Sequence, residues 1–203
     1  TMIAWMQNWS TVNAKPFHCR WFGQMTLPRE LSIREGRLYQ QPVRELEACR
    51  GQRVFHRNIP VSGEINLPGV QGRMVDMTVT VHPTGGEIYR WFRIHVAKDG
   101  LHDTILRYKP NEGTLKIDRT RSGLPHDIVH TRSLLVRPQQ GELKLRIILD
   151  RFSVEVFVND GEQAASSVIY TRQEADAITF EAGGQALIDV EKYELVSQEG
   201  GCL

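Results

Sequence analysis

The sequence predicts an all-β protein built as a two-sheet antiparallel β-sandwich. Three observations carry that expectation. Apolar and polar residues alternate with the two-residue period of a half-buried strand, turn residues break the alternation about every eight to twelve positions, and no segment sustains a helical period.

Taken in order, Ile3, Ala4, Trp5 and Met6 read as strand, with no leading loop, so the chain is expected to begin in the middle of a folded unit. Pro42 suits a first helical position and predicts a short helix over Val43 to Cys49. Gln52 to Gly72, with Pro60, Gly63, Pro68 and Gly69, reads as a connector. Val75, Met77, Val79 and Val81 then share one strand face, opposite Asp76, Thr78 and Thr80. Glu87 to Ala97 follows, with Ile88, Phe92, Ile94 and Val96 on one side and Tyr89, Trp91 and His95 on the other. Asp99-Gly100 predicts a type I′ hairpin, because both residues tolerate positive φ. Leu101 to Lys109 returns, Pro110 to Gly113 turns, and Thr114 to Thr120 completes an antiparallel meander.

The second half repeats the pattern. Leu143, Leu145, Ile147 and Leu149 alternate with Lys144, Arg146 and Asp150. After a reversal at Asp150-Arg151, Phe152, Val154, Val156 and Val158 alternate with Ser153, Glu155 and Asn159, which puts Glu155 on the solvent side. Asn159-Asp160-Gly161 turns into a strand around Ser167 to Thr171. Ala177 to Glu181 and Ala186 to Leu195 read as the last two strands, separated by Gly183-Gly184, and Ser197 to Leu203 as a frayed tail.

The net charge of +1, from 25 basic and 24 acidic residues, gives no electrostatic reason for a nucleic-acid or anionic-membrane partner. No apolar stretch approaches the roughly 18 residues that span a bilayer. Thr1 to Trp9 carries neither a basic region nor a small-residue cleavage site, so it does not read as a secretory signal. Cys19, Cys49 and Cys202 form no disulfide framework and no metal-type spacing, which leans toward a cytoplasmic location.

Three segments stand out: IAWMQNW (Ile3 to Trp9) with WFGQMTLPREL (Trp21 to Leu31) and LYQQPVREL (Leu38 to Leu46), then IDRTRSG (Ile117 to Gly123), then LRIILDRFSVEVFVNDGE (Leu145 to Glu162). In their order and spacing they resemble glycoside hydrolase family 32, the group of invertases, levanases, inulinases and sucrose-6-phosphate hydrolases. The resemblance implies a five-bladed catalytic β-propeller followed by a β-sandwich. On that basis residues 1–44 are expected to be the last propeller strands and linker, and residues 45–203 the C-terminal sandwich.

Retaining glycosidases work with two carboxyl groups about 5 Å apart. The family's carboxylate motifs resemble WMNDPNG, RDP and EC, and none occurs here, so no catalytic residue is assigned to this chain. Asp150 with Glu155, and Asp118 beside Arg119 and Arg121, read as turn-shaping or cross-strand pairs, with Arg146 or Arg151 as the partner of Glu155. There is no GxSxG elbow or HExxH, and His95, His126 and His130 read as core or surface residues; neither metal nor cofactor is expected.

The remaining ligand candidates are Trp5 and Trp9, four residues apart and so on one face of a strand. Flat aromatic faces suit sugar C–H groups. The resemblance implies that an aromatic of the last blade lines the fructose pocket, and Trp5 matches that position. The expected partners are the propeller, sucrose or a fructan as substrate, and a second copy through the sandwich. A fructan-binding, lectin-like module is the alternative, with Tyr89, Trp91 and His95 as a sugar platform or, the reading preferred here, part of the core.

Overall fold

The computed structural model describes residues 1–6, 19–21, 23–85, 89–124 and 129–196. Residues 1–6 run antiparallel to 24–29 through the pairs Met2 with Arg29 and Trp5 with Met25. A hairpin follows, β1 (Arg29–Arg34) and β2 (Arg37–Pro42). Glu35 and Gly36 turn it with φ of 50° and 74°, the left-handed pair a tight hairpin demands.

A 3₁₀ turn, Arg44–Cys49, leads into β3 (Arg50–Gln71) and β4 (Val75–Pro83). The meander is β5 (Phe92–Lys98), β6 (Asp103–Lys109), β7 (Thr114–Arg121) and β8 (Thr131–Leu135). Then come β9 (Leu143–Asp150), β10 (Ser153–Val158), β11 (Gln163–Val168) and β12 (Ala177–Leu195).

The sandwich is closed at one edge by shared strands. The C-terminal half of β12 pairs with β4, continuing to β9, β10 and β11. Its N-terminal half pairs with β5, continuing to β6, β7 and β8. Along its other side the whole of β12 pairs with β3. The alternating faces of β4, β5, β9, β10 and β12 meet between the sheets in one core that includes Met77, Ile94, Leu145, Val156 and Phe180.

Several sequence expectations need correction. Gln52 to Gly72 is not a connector but most of β3, the longest strand described. Its prolines and glycines are tolerated because it is an edge strand, with one side free of pairing, and Gly63 and Gly69 take φ of 77° and 74° at irregularities. Ala177 to Leu195 is one strand rather than two. Gly183 serves close approach: a Cβ there would lie 2.4 Å from the Trp91 ring. Pro42 ends β2, and the turn after it is 3₁₀ in form.

The β5–β6 turn is also not type I′. Its positive φ falls on Ala97, while Asp99 accepts the Leu101 and His102 N–H groups, both at 2.7 Å. Those two bonds hold the Asp99 carboxyl down at about 2. The strand expected around Ser167 begins earlier, at Gln163. Tyr89 is not opposite Phe92 but packs edge-on to it and to Tyr108, each at 6.3 Å, because β5 starts only at Phe92 and the two-residue period does not reach back.

Candidate functional site

The alternation in the sequence puts the outward face of β10 in water, yet every residue of β10 is buried. What covers it is the N-terminal segment. Leu27 reaches a small apolar cluster of Leu46, Cys49, Ile148, Phe157 and Leu195. Within this buried contact lies Glu155, 1% exposed. Its Oε1 accepts the Leu27 N–H at 2.6 Å, and its Oε2 meets Arg29 Nη2 at 2.5 Å. The Ser166 hydroxyl adds a donor at 3.1 Å.

Arg29 is equally sealed, at 5% exposed. Besides Glu155 it donates to Gln40 Oε1 at 2.9 Å and to Ser166 Oγ, and its guanidinium sits 5.0 Å from the centre of the Phe157 ring. Taking two charges out of water is costly, and the pair is tolerable only when its geometry and remaining hydrogen bonds are good. Glu155 is therefore a sealed structural carboxylate, neither on the solvent side nor paired with Arg146 or Arg151.

Arg146 has another task. With Arg50 it grips Asp76, itself 1% exposed, through bonds of 2.8 to 3.0 Å. Asp150 caps its own turn by accepting the Arg151 N–H at 2.7 Å. Asp118 accepts the Thr120 N–H and hydroxyl and approaches Lys116 at 3.3 Å, rather than pairing with Arg119 or Arg121. Those arginines bind main-chain carbonyls, Arg119 those of Val129 and Val168 and Arg121 that of Leu101.

Further contacts at both ends seat the N-terminal segment. Gly161 (φ 95°) approaches β2 so closely that a Cβ there would stand 2.1 Å from the Gln40 carbonyl oxygen. At the other end, the Gln24 amide donates to Phe152 O at 2.9 Å, and the Trp21 and Phe152 rings lie 5.9 Å apart. Met6 and Phe152 pack on Leu124, Val168 and Tyr170.

Trp5 is 44% exposed on the strand paired with 24–29. Trp9 and His126 lie outside the described residues. The proposed sugar platform does not form: Tyr89 is core, Trp91 covers Gly183, and His95 is held by Asp103 at 2.9 Å and faces Glu181 at 3.4 Å. Among the described residues no group of three or more His, Cys, Asp or Glu side chains is arranged to hold a metal ion.

Sequence reasoning passed over Arg29 and misplaced Glu155. A signal was present in each case. Glu155 interrupts an apolar run on both strand faces (Val154 to Val158), and Arg29 follows Leu27-Pro28 in one of the family-like motifs.

This arrangement defines a class of protein, a β-sandwich to which a preceding set of strands is fixed through buried charge. Residues 45–197 match the family model described as Glycosyl hydrolases family 32 C terminal, and residues 1–42 match the Glycosyl hydrolases family 32 N-terminal domain. The chain belongs to glycosyl hydrolases family 32.

Among its curated relatives, the raffinose invertase of Escherichia coli is 34% identical over 92% of this chain and 37% of its own length. The levanase of Bacillus sp. (strain L7) is 30% identical over 90% of this chain and 21% of its own. The chain thus spans well under half of these relatives. The exo-inulinase of Aspergillus awamori, at 21% identity, shares the fold, with a TM-score of 0.82 over 96% of this chain and 40% of that one.

Proposed function

We propose that the chain is the C-terminal part of a β-fructofuranosidase-type hydrolase, with residues 45–203 as its scaffold sandwich and residues 1–44 as the last strands of its catalytic propeller. The parent hydrolyses terminal β-fructosidic bonds of sucrose, sucrose-6-phosphate or a fructan by a retaining double displacement. One carboxylate attacks the anomeric carbon and a second, protonated, carboxyl group donates to the leaving oxygen. Both belong to the part of the parent that precedes these residues, and Trp5 and Trp9 line the fructosyl pocket.

One observation carries this reading. The N-terminal segment is fixed to the sandwich by buried Glu155 and Arg29, yet turns Ile3, Trp5, Trp21, Met25, Leu31, Ile33 and Leu38 outward. These are seven of the twelve large exposed apolar side chains among the described residues, and they sit in its first fifth. Ile33 faces Leu38 across the hairpin and Trp5 faces Met25 across the neighbouring strands, and exposed apolar pairs of this kind belong against a partner. The neighbouring propeller strands are that partner, and a second copy can occupy the same face in their absence.

The test is fructose release from sucrose, raffinose and levan. The chain alone is expected to release none, whereas a protein carrying the three upstream carboxylate motifs releases fructose with retained anomeric configuration. Turnover by the chain alone, or inactivity of the longer protein, overturns the reading.

A further inference from the structure

The extended segment bearing Trp5 has its register set by residues 24–29. Met2 and Arg29 exchange backbone bonds of 2.8 and 2.9 Å, Thr26 N–H donates to Ala4 O at 2.8 Å, and Met6 N–H donates to Gln24 O at 2.8 Å. Ala4 N–H adds a bond to Thr26 Oγ1 at 3.0 Å. Residues 24–29 are themselves held by the sandwich at Gln24, through Phe152 O, and at Leu27 and Arg29, through Glu155. Met25, the partner of Trp5, lies between these anchors.

The Glu155 anchor is the stiff one. A buried guanidinium and a buried carboxylate have no comparable partner to move to, so their meeting point fixes the strand that carries Leu27 and Arg29. Strand residues rise about 3.3 Å each, which places the Met25 position only about 7 Å along the backbone from Leu27. A side chain of the scaffold thereby sets where an aromatic of the other module stands.

We propose that Glu155 is a positioning residue for the fructosyl pocket, acting through Leu27 and Arg29 on the strand that presents Trp5. It does not touch substrate, and its role in the pocket rests on the reading of Trp5 given above. Glu155→Gln keeps the volume and one acceptor but leaves Arg29 with an uncompensated buried charge, so Arg29 and its strand must shift. Ser166→Ala removes a single hydroxyl from the same network and perturbs it less.

The first experiment labels the chain with 5-fluorotryptophan and identifies the Trp5 fluorine resonance by its loss in Trp5→Phe. Glu155→Gln is expected to shift or split that resonance, Ser166→Ala to move it less, and Trp91 on the opposite sheet to stay in place. An unmoved Trp5 resonance in both variants, with only a lowered melting temperature, overturns the proposal. Should Glu155→Gln unfold, the Trp91 resonance collapses as well and Ser166→Ala alone decides.

The second experiment places Glu155→Gln in the longer, active protein. A fall in kcat/KM for sucrose is expected, of up to about 100-fold, the scale of a ~1 Å misplacement at a reacting centre. Unchanged kinetics there overturns the positioning role alone. Inactivity of the unsubstituted longer protein overturns the fructosidase reading instead, and the fluorine resonance still decides whether Glu155 holds Trp5.

Discussion

The sandwich and the strands that precede it handle their apolar residues in opposite ways. Val75, Met77, Val79, Ile94, Ile147 and Phe180 have no exposed surface, and both sheets contribute to the one core that contains them. In the preceding strands Ile33 is 78% exposed and Met25 57%, and among its described residues the segment has no comparable core of its own. It is held instead by its inner face, through Glu155, Arg29, Gln24 and the Gly161 approach. One region buries its own apolar residues and the other leans on it, and substitutions distinguish them.

The largest effect is expected in the core. Phe180→Ala should cost about 3–5 kcal/mol of global stability, read by urea denaturation. Next comes Arg73, whose guanidinium donates to the carbonyls of Arg151, Arg172 and Ala175 and to the Thr171 hydroxyl, holding the loop before β12. Burial pulls its pKa down to about 10. Arg73→Met should cost about 3 kcal/mol, because several buried acceptors lose their donor together.

Gly161→Ala separates the two regions. The new methyl meets Gln40 O and the backbone is strained at φ 95°, so a loss of about 2 kcal/mol is expected. Protease should then cut residues 1–44 faster while residues 45–196 stay resistant; equal sensitivity of both regions would show that the docking is not separable.

Acid acts on the sandwich through a milder route. The hydrogen bond from His95 keeps the buried Asp103 carboxyl below its ordinary range. A carboxylate with a depressed folded pKa stabilises above its unfolded value, about 3.9, and that contribution disappears as pH falls through the folded value. The melting temperature should therefore decline below about pH 4, and Asp103→Asn should flatten that decline. Smallest of all, Ile33→Ser should shift stability by no more than about 0.5 kcal/mol, since the side chain is already in water. In the proposed longer protein the same change should cost more if the preceding part covers Ile33, and the difference between the two costs measures that cover.

Much of the sandwich was legible from alternation alone. Val75 to Val81, Leu143 to Leu149 and Val154 to Val158 fall on the core face as their period requires. β3 was not legible, because prolines and glycines that signal a loop in isolation are acceptable along an edge. The unbroken β12 was missed for a related reason: Gly183 marks the passage of a ring, which looks like a turn when only the chain is read.

The site shows the same division. Its ingredients, LPREL and SVEVF, stand in the sequence, but 126 positions separate Arg29 from Glu155. A two-residue period assigns residues to two faces without saying which face meets water. By itself the sequence determined the alternating strands of the core, β3 and the continuity of β12 excepted, and the resemblance to the family. Only the tertiary structure decided that the second face of β10 is also buried, because that depends on which distant segment covers it and brings the opposite charge.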